Sequence, residues 1–327
     1  MAYTTINKSS DYFNIKLYTG TGSTNALTGV GFQPDWVWMK RRDGSGAHRL
    51  CDAVRGATKL LQSAATDAEQ TGADTLTSFD SDGFTLGADA APYNVNVNSQ
   101  TMVAWCWRAG TTSGITTNGS TVITPSAYSF NATSGFSIVK YAGNGNTTTK
   151  VAHGLGAVPK MIIIKNLDDG SDNWKVYHVG IGNTTALQLD NTGATSGGSD
   201  NFYDTTPDTV NFTLGNHVSV NNNGENYIAY CFAEKTGFSK FGSYTGNGNA
   251  DGAFIYTGFK PAFVIVKRSS DTGNWNMMDT TRSPFNVVGL AVSANTSNAD
   301  DGGTFIDILS NGFKQRSTSS NRNASGS

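Results

Sequence analysis

Apolar residues in this chain fall in short runs bounded by Gly, Pro, Asn and Thr, and the runs recur three times in one order. Each copy opens on a tyrosine and a glycine-spaced turn: Tyr18-Thr19-Gly20-Thr21-Gly22, Tyr141-Ala142-Gly143-Asn144-Gly145 and Tyr244-Thr245-Gly246-Asn247-Gly248. Glycine at these places permits the positive φ of a hairpin turn. Next come Gly31-Phe32-Gln33-Pro34, Gly156-Ala157-Val158-Pro159 and Gly258-Phe259-Lys260-Pro261, and six positions after each proline stands Lys40, Lys165 or Lys267. The residues between include Val37-Trp38-Met39, Met161-Ile162-Ile163-Ile164 and Phe263-Val264-Ile265-Val266. Unbroken β-branched and aromatic runs of this length predict strands buried on both faces. Proline suits the mouth of such a strand, where no ladder donor is needed, and the lysine is expected to mark its exit to solvent.

The correspondence continues downstream. His48, Trp174 and Trp275 occupy equivalent places, followed four residues later by Asp52, His178 and Asp279. The first and third copies share Asp-x-x-Arg as Asp52…Arg55 and Asp279…Arg282, which the second breaks with His178…Ile181. A later strand is predicted at 83–87, 211–215 and 312–313. A closing strand follows at Met102-Val103-Ala104-Trp105-Cys106-Trp107 and at Tyr227-Ile228-Ala229-Tyr230-Cys231-Phe232. The third copy would reach this strand just after Ser327. An unpaired sheet edge leaves backbone groups without partners, so either the chain is truncated or a neighbouring subunit's strand fills the gap.

The predicted fold is all-β: three tandem antiparallel β-sandwich modules of jelly-roll or lectin-like type. Their boundaries are 1–109, 135–236 and 237–327, with 110–134, rich in Ser, Thr, Gly and Asn, as a linker or crossover. Segment 56–70 leans to helix in composition but lacks a 3.6-residue stripe, so it reads as a short helix or compact loop. The modules are expected to stand in a row, the second and third close together because little chain separates them.

Composition sharpens this picture. Glycine contributes 38 of 327 residues and charged residues only 15%, against an average of about 25%, so turns dominate and the surface is Asn/Thr/Ser rather than Lys/Glu. A net charge of −2 with scattered basic residues argues against nucleic acid as a partner. No apolar run approaches the roughly 20 residues of a membrane-spanning helix, so membrane insertion is not expected. The N-terminal Met1-Ala2-Tyr3-Thr4-Thr5-Ile6-Asn7-Lys8 lacks the apolar core of a secretory signal, which predicts synthesis in a cytoplasm without export by that route. Cys51, Cys106 and Cys231 are expected to be reduced.

Candidate chemistry is sparse. His48, His153, His178 and His217 show no metal-ligand spacing, and no nucleophile elbow, P-loop or dinucleotide fingerprint occurs. No catalytic residue, metal or cofactor is therefore assigned. Asp-x-x-Arg reads first as a structural pair bracing a loop. As a ligand-binding set the chain offers His48, Asp52, Arg55, Trp174, His178, Trp275, Asp279 and Arg282, because aromatics in polar loops on a rigid scaffold suit carbohydrate recognition. For Trp174 and Trp275 the reading as core plugs, the largest apolar side chains available to fill a sandwich, stands ahead of this one.

Several stretches also resemble a known group of proteins. These are 4–13 (TTINKSSDYF), Tyr18-Thr19-Gly20-Thr21-Gly22-Ser23, Val30-Gly31-Phe32-Gln33-Pro34-Asp35, 241–248 and 257–263. Together they resemble the triplicated β-repeat proteins of unknown function encoded by tailed phages of marine bacteria, and the resemblance covers essentially the whole chain. It implies a virion structural protein with tail-fibre-like or lectin-like character, assembled in the bacterial host cytoplasm. The partners it implies are other virion proteins, further copies of itself, with a trimer as the usual fibre arrangement, and host-surface glycan. Its members close on a further aromatic strand, from which this sequence departs. Two other functions stay open: capsid decoration or a self-assembling filament, and a polysaccharide-degrading enzyme using paired carboxylates.

Overall fold

The computed structural model describes residues 3–90 and 93–327. Met1 and Ala2 of the N-terminal stretch read above lie outside the described residues. Strand accounts for 39% of the chain and helix for 5%, which makes the protein all-β, and every strand ladder is antiparallel.

In the first segment a four-stranded sheet runs in the order Phe13–Thr19, Thr101–Trp107, Trp36–Arg41, Arg49–Asp52. A three-stranded sheet joins Asn25–Thr28, Gly83–Leu86 and Leu76–Asp80. The second segment repeats the central order as Phe136–Ala142, Asn226–Ala233, Pro159–Asn166, Lys175–His178. Its sheet is extended on one side by Ala127–Asn131 and on the other by Gly182–Gln188 and Ser196–Gly197. In the third segment Phe263–Val266 pairs with Asn276–Asp279, then Val288–Ser293, Asp301–Leu309, Gly312–Gln315 and Phe254–Tyr256 complete a six-stranded sheet. Phe263–Val266 is an edge strand, whereas Trp36–Arg41 and Pro159–Asn166 are flanked on both sides.

Successive residues of a strand face opposite ways, and in the central strands both ways are apolar. Val37 and Met39 point into a core shared with Phe84 and Leu86, while Trp36 and Trp38 point into a second core. Ile162 and Ile164 likewise join Phe212 and Leu214, while Ile163 joins the Trp36 side. That second core is common to all three segments, uniting Trp36, Trp105, Trp174, Tyr230, Trp275 and Met277. The segments therefore close around a shared centre instead of standing in a row. Tryptophan and tyrosine make this possible, because each removes a large area from water and carries a polar tip that can bond across the seam.

The glycine-spaced turns are built alike. A Cβ on Gly20, Gly143 or Gly246 would sit 2.1, 2.2 or 2.3 Å from the oxygen of Val97, Asn222 or Ala324, so close backbone approach excludes any side chain. Gly22, Gly145 and Gly248 supply the positive φ, at 65°, 69° and 68°. Each turn is tied by an asparagine amide: Asn96 Nδ2 donates to Ser23 O, Asn221 Nδ2 to Asn146 O, and Asn323 Nδ2 to Asn249 O.

One open alternative is decided and two expectations are revised. Segment 56–70 contains no helix: it is the compact loop, carrying the short paired strands Lys59–Leu60 and Gln70–Thr71. Its middle reaches into the shared centre, where Ser63 Oγ donates to Ala294 O at 2.6 Å. The 110–134 stretch includes the sheet strand Ala127–Asn131, so it is only partly a crossover. Lys40 and Lys165 do not exit to solvent: both are fully buried, their sheets being covered on both faces.

Candidate functional site

The residues with chemistry gather at the seams between segments. His48 accepts from Trp38 Nε1 on Nδ1 at 2.8 Å, which leaves Nε2 as the N–H that donates to Ser293 O of the third segment at 3.0 Å. Burial drives the His48 pKa well below its ordinary value, so the ring is a neutral, directed donor. Trp174 Nε1 donates to Gln62 O at 3.0 Å and Ala65 O at 3.2 Å in the first segment. Trp275 Nε1 donates to Gln188 O at 2.8 Å in the second. The three equivalent side chains thus bond first to third, second to first and third to second, which closes a ring.

A second array runs in the same direction. Tyr230 OH of the second segment donates to Asp52 Oδ2 of the first at 2.7 Å, and Trp105 Nε1 of the first donates to Asp279 Oδ2 of the third at 3.2 Å. Each acceptor also holds its arginine. Arg55 Nε donates to Asp52 at 2.5 Å and Arg282 Nε to Asp279 at 2.6 Å, with both ion pairs completely shielded from water. The remaining guanidinium nitrogens bind Leu50 O and Glu69 in one case and Met277 O and Asp300 in the other. Arg282 also lies over the Trp105 ring at 5.2 Å.

His178 occupies the third acceptor position. Its Nδ1 accepts from Gly180 N at 3.0 Å, its ring stands 6.2 Å from that of Phe241, and its side chain is half-buried. No bond to its Nε2 is formed among the described residues, in contrast to Asp52 and Asp279.

All eight residues of the sequence-based ligand set therefore lie on seams. His48, Asp52, Trp174, Trp275, Asp279 and Arg282 are buried, the Arg55 side chain is fully buried, and only His178 has partial access. The indoles fill the centre as core plugs and the Asp-x-x-Arg pairs brace it, in line with the structural readings of both; the alternative place on exposed polar loops is not found. Sequence reasoning passed over Trp105 and Tyr230 as partners in this network, although their equivalent places in the two closing strands were a signal. It also passed over Asp35, a buried carboxylate that accepts from Ala109 N at 2.7 Å and Ser129 Oγ at 2.9 Å and so joins the first two segments.

Lys40 and Lys165, both buried, and the half-buried Lys267 form a further set. Lys40 Nζ donates to Arg41 O, Lys165 Nζ to Asp169 O and Asp172 O, and Lys267 Nζ to Arg268 O and Thr192 O. Burial pushes each ammonium down to about 8. Between pH 8 and the ordinary lysine value of 10.5 the unfolded chain binds more protons than the folded one, so stability rises with pH in that window. Above pH 9 the thiols of Cys51, Cys106 and Cys231 oppose this, because burial raises their pKa and they stay protonated only when folded. Urea midpoints are expected to rise from pH 7.5 to 9, and Lys40→Met or Lys165→Met to remove about one proton's worth of that slope. A variant with an unchanged slope would refute the assignment.

On the outside, Tyr3 and Tyr256 are 64% and 61% exposed and flank a cleft lined also by Glu234, Lys235, Lys240 and Gly258. Tyr3 OH donates to Gly258 O at 3.0 Å, and Lys240 pairs with Glu234 at 2.7 Å. Among the described residues no group of three or more His, Cys, Asp or Glu side chains is placed to hold a metal ion, and no helix is long and apolar enough to cross a membrane. All three cysteines are free and buried.

Residues 8–327 match the model of one family, described as a domain of unknown function (DUF7483). No curated protein and no solved structure matches the chain.

Proposed function

From the premise that the chain belongs to the DUF7483 family, we propose that it is a structural subunit of a phage virion appendage, such as a tail fibre, that contacts host-surface glycan. We further propose that it is built of three homologous β-sandwich modules arranged about a pseudo-threefold axis. The modular part is supported by the equivalent closing strands, asparagine-tied turns and head-to-tail seam bonds. The virion part rests on the sequence resemblance and on the character of the fold, a low-charge, turn-rich β assembly.

The observation that carries glycan contact is the exposed pair Tyr3 and Tyr256 beside the Glu234–Lys240 ion pair. Two exposed tyrosines lining one cleft with charged hydrogen-bonding groups suit a sugar, whose C–H faces stack on rings while its hydroxyls bond at the rim. Immunogold electron microscopy of purified phage, with antibody against this chain, is expected to label the tail or its fibres. Glycan arrays should then give binding that Tyr256→Ala abolishes. Label over the capsid would favour the decoration reading, for which the 81% exposed Phe285 offers an apolar contact; no label would remove the virion assignment.

A further inference from the structure

Asparagine precedes glycine at Asn118, Asn144, Asn223, Asn247 and Asn311. In that dipeptide the glycine nitrogen, unhindered by a Cβ, can attack the side-chain carbonyl carbon of the asparagine before it. Four of these nitrogens are held. Gly145 N donates to Asn221 O at 2.9 Å, Gly224 N to Gly143 O at 2.9 Å and Gly248 N to Asn323 O at 2.7 Å. Gly312 lies in a strand paired on both sides, opposite Tyr256 and Leu309. Attack at these places would first have to break a hydrogen bond or leave a ladder. Gly119 N makes no hydrogen bond among the described residues, and Asn118 and Gly119 are both exposed.

The carbonyl under attack is also prepared. Residues 118–121 form a tight turn, in which Thr121 N donates to Asn118 O and Asn118 N to Thr121 Oγ1, each at 3.0 Å. Asn118 Oδ1 accepts from Ser120 N at 3.0 Å, Ser120 Oγ at 2.8 Å and Asn211 Nδ2 at 3.2 Å. The bond from Ser120 N is an Asx turn, which folds the side-chain carbonyl back along the peptide that follows it. The Asn211 amide is oriented by Thr121 Oγ1, which donates to its Oδ1 at 2.8 Å. Donors converging on one carbonyl oxygen stabilise the oxyanion that forms when its carbon is attacked. Asn118 Nδ2, the group that would leave, is bonded to nothing among the described residues. Asn144 Oδ1 and Asn247 Oδ1 have comparable donors in Asn146 N with Asn221 Nδ2 and in Asn249 N with Asn323 Nδ2, but their glycine nitrogens are engaged. Of the five, Asn118 combines a prepared carbonyl with a free nitrogen.

We propose that Asn118 is a self-modification site. Gly119 N attacks Asn118 Cγ and forms a new N–C bond; the Cγ–Nδ2 bond breaks, and the amide leaves as ammonia, taking the proton that Gly119 gives up. Water, the one co-reactant, then opens the cyclic imide. Opening at the side-chain carbonyl leaves aspartate, and opening at the main-chain carbonyl leaves isoaspartate. The turn seats the crossover: just beyond it Val122 N and Ile123 N donate to Lys150 O at 2.9 Å, and Ala152 N donates to Ile123 O at 3.2 Å, so 122–123 cover the outer edge of Thr149–Ala152. Isoaspartate adds a carbon to the main chain inside the turn and so loosens that cover.

The test incubates the full chain at mildly alkaline pH, folded and in urea, and follows all five peptides by mass spectrometry with fragmentation that separates aspartate from isoaspartate. In the folded protein Asn118 is expected to convert at least about tenfold faster than the other four and about threefold faster than Asn118 in urea, where the five should react alike. A Cβ on Gly119 meets nothing within 4 Å, so Gly119→Ala should fold normally and slow conversion by about tenfold. Ser120→Ala, at an exposed position, should slow it by about 3- to 10-fold, the value of one hydrogen bond, at an unchanged urea midpoint. Conversion of folded Asn118 no faster than in urea overturns the proposal. So does chain cleavage after Asn118, in which Nδ2 attacks the main-chain carbonyl instead.

Discussion

Asp52→Ala is expected to destabilise the protein by about 3–5 kcal/mol, read as a fall in the urea midpoint at constant slope. The carboxylate bonds two groups that water cannot reach. Arg55, whose side chain is fully buried, loses its 2.5 Å partner and keeps Leu50 O and, at 3.4 Å, Glu69. Tyr230 loses the one acceptor its buried hydroxyl has among the described residues. The cost arises from the uncompensated cation and donor more than from the lost attraction, so the double variant Asp52→Leu with Arg55→Met should recover much of it. Asp279→Ala should cost less, because Arg282 retains Asp300 at 2.7 Å. Equal losses in the two single variants would show that the second carboxylate contributes nothing.

The strands were legible in the sequence because their signal is local. Trp36–Arg41 and Pro159–Asn166 announce themselves as unbroken apolar runs, and the turns as Gly-x-Gly after tyrosine. The closing strands at 101–107 and 226–233 stood in equivalent places, and the later strand at 83–86, 211–214 and 312–315 was equally plain. What the sequence concealed was the destination of the second face. A run buried on both sides needs two coverings, and nothing in Val37-Trp38-Met39 says that Trp38 meets a neighbouring segment while Val37 and Met39 meet their own.

The same ambiguity displaced the candidate site. Trp174 and Trp275 follow polar loops, which suggested exposure, yet their indoles bond to Gln62 O and Gln188 O across seams. Lys40 looked like a strand end, but its long aliphatic stem is compatible with burial once a carbonyl receives the ammonium. His178, the one residue that broke the Asp-x-x-Arg pattern, is also the one seam position left open to solvent.

Trp36→Ala is expected to cost about 3–5 kcal/mol, and Trp36→Phe far less. Trp36 is 1% exposed and holds the centre together: it stacks on Tyr230 at 4.4 Å and 17° and on Phe136 at 5.7 Å, both from the second segment, and meets Trp107 of its own at 4.5 Å. Truncation to alanine removes all three contacts and opens a cavity that three β-sheets, each fixed by its own ladder, cannot close by local movement. Phenylalanine retains the stacking and deletes the indole N–H, which is buried without a partner among the described residues; relief of that unmet donor offsets part of the lost area. Because the ring couples two segments, the alanine variant should also separate their unfolding, with tryptophan fluorescence and far-ultraviolet circular dichroism giving non-coincident urea transitions where the parent gives one. A single coincident transition in Trp36→Ala would mean that the seam bonds of His48, Trp174 and Trp275 suffice to hold the segments as one cooperative unit.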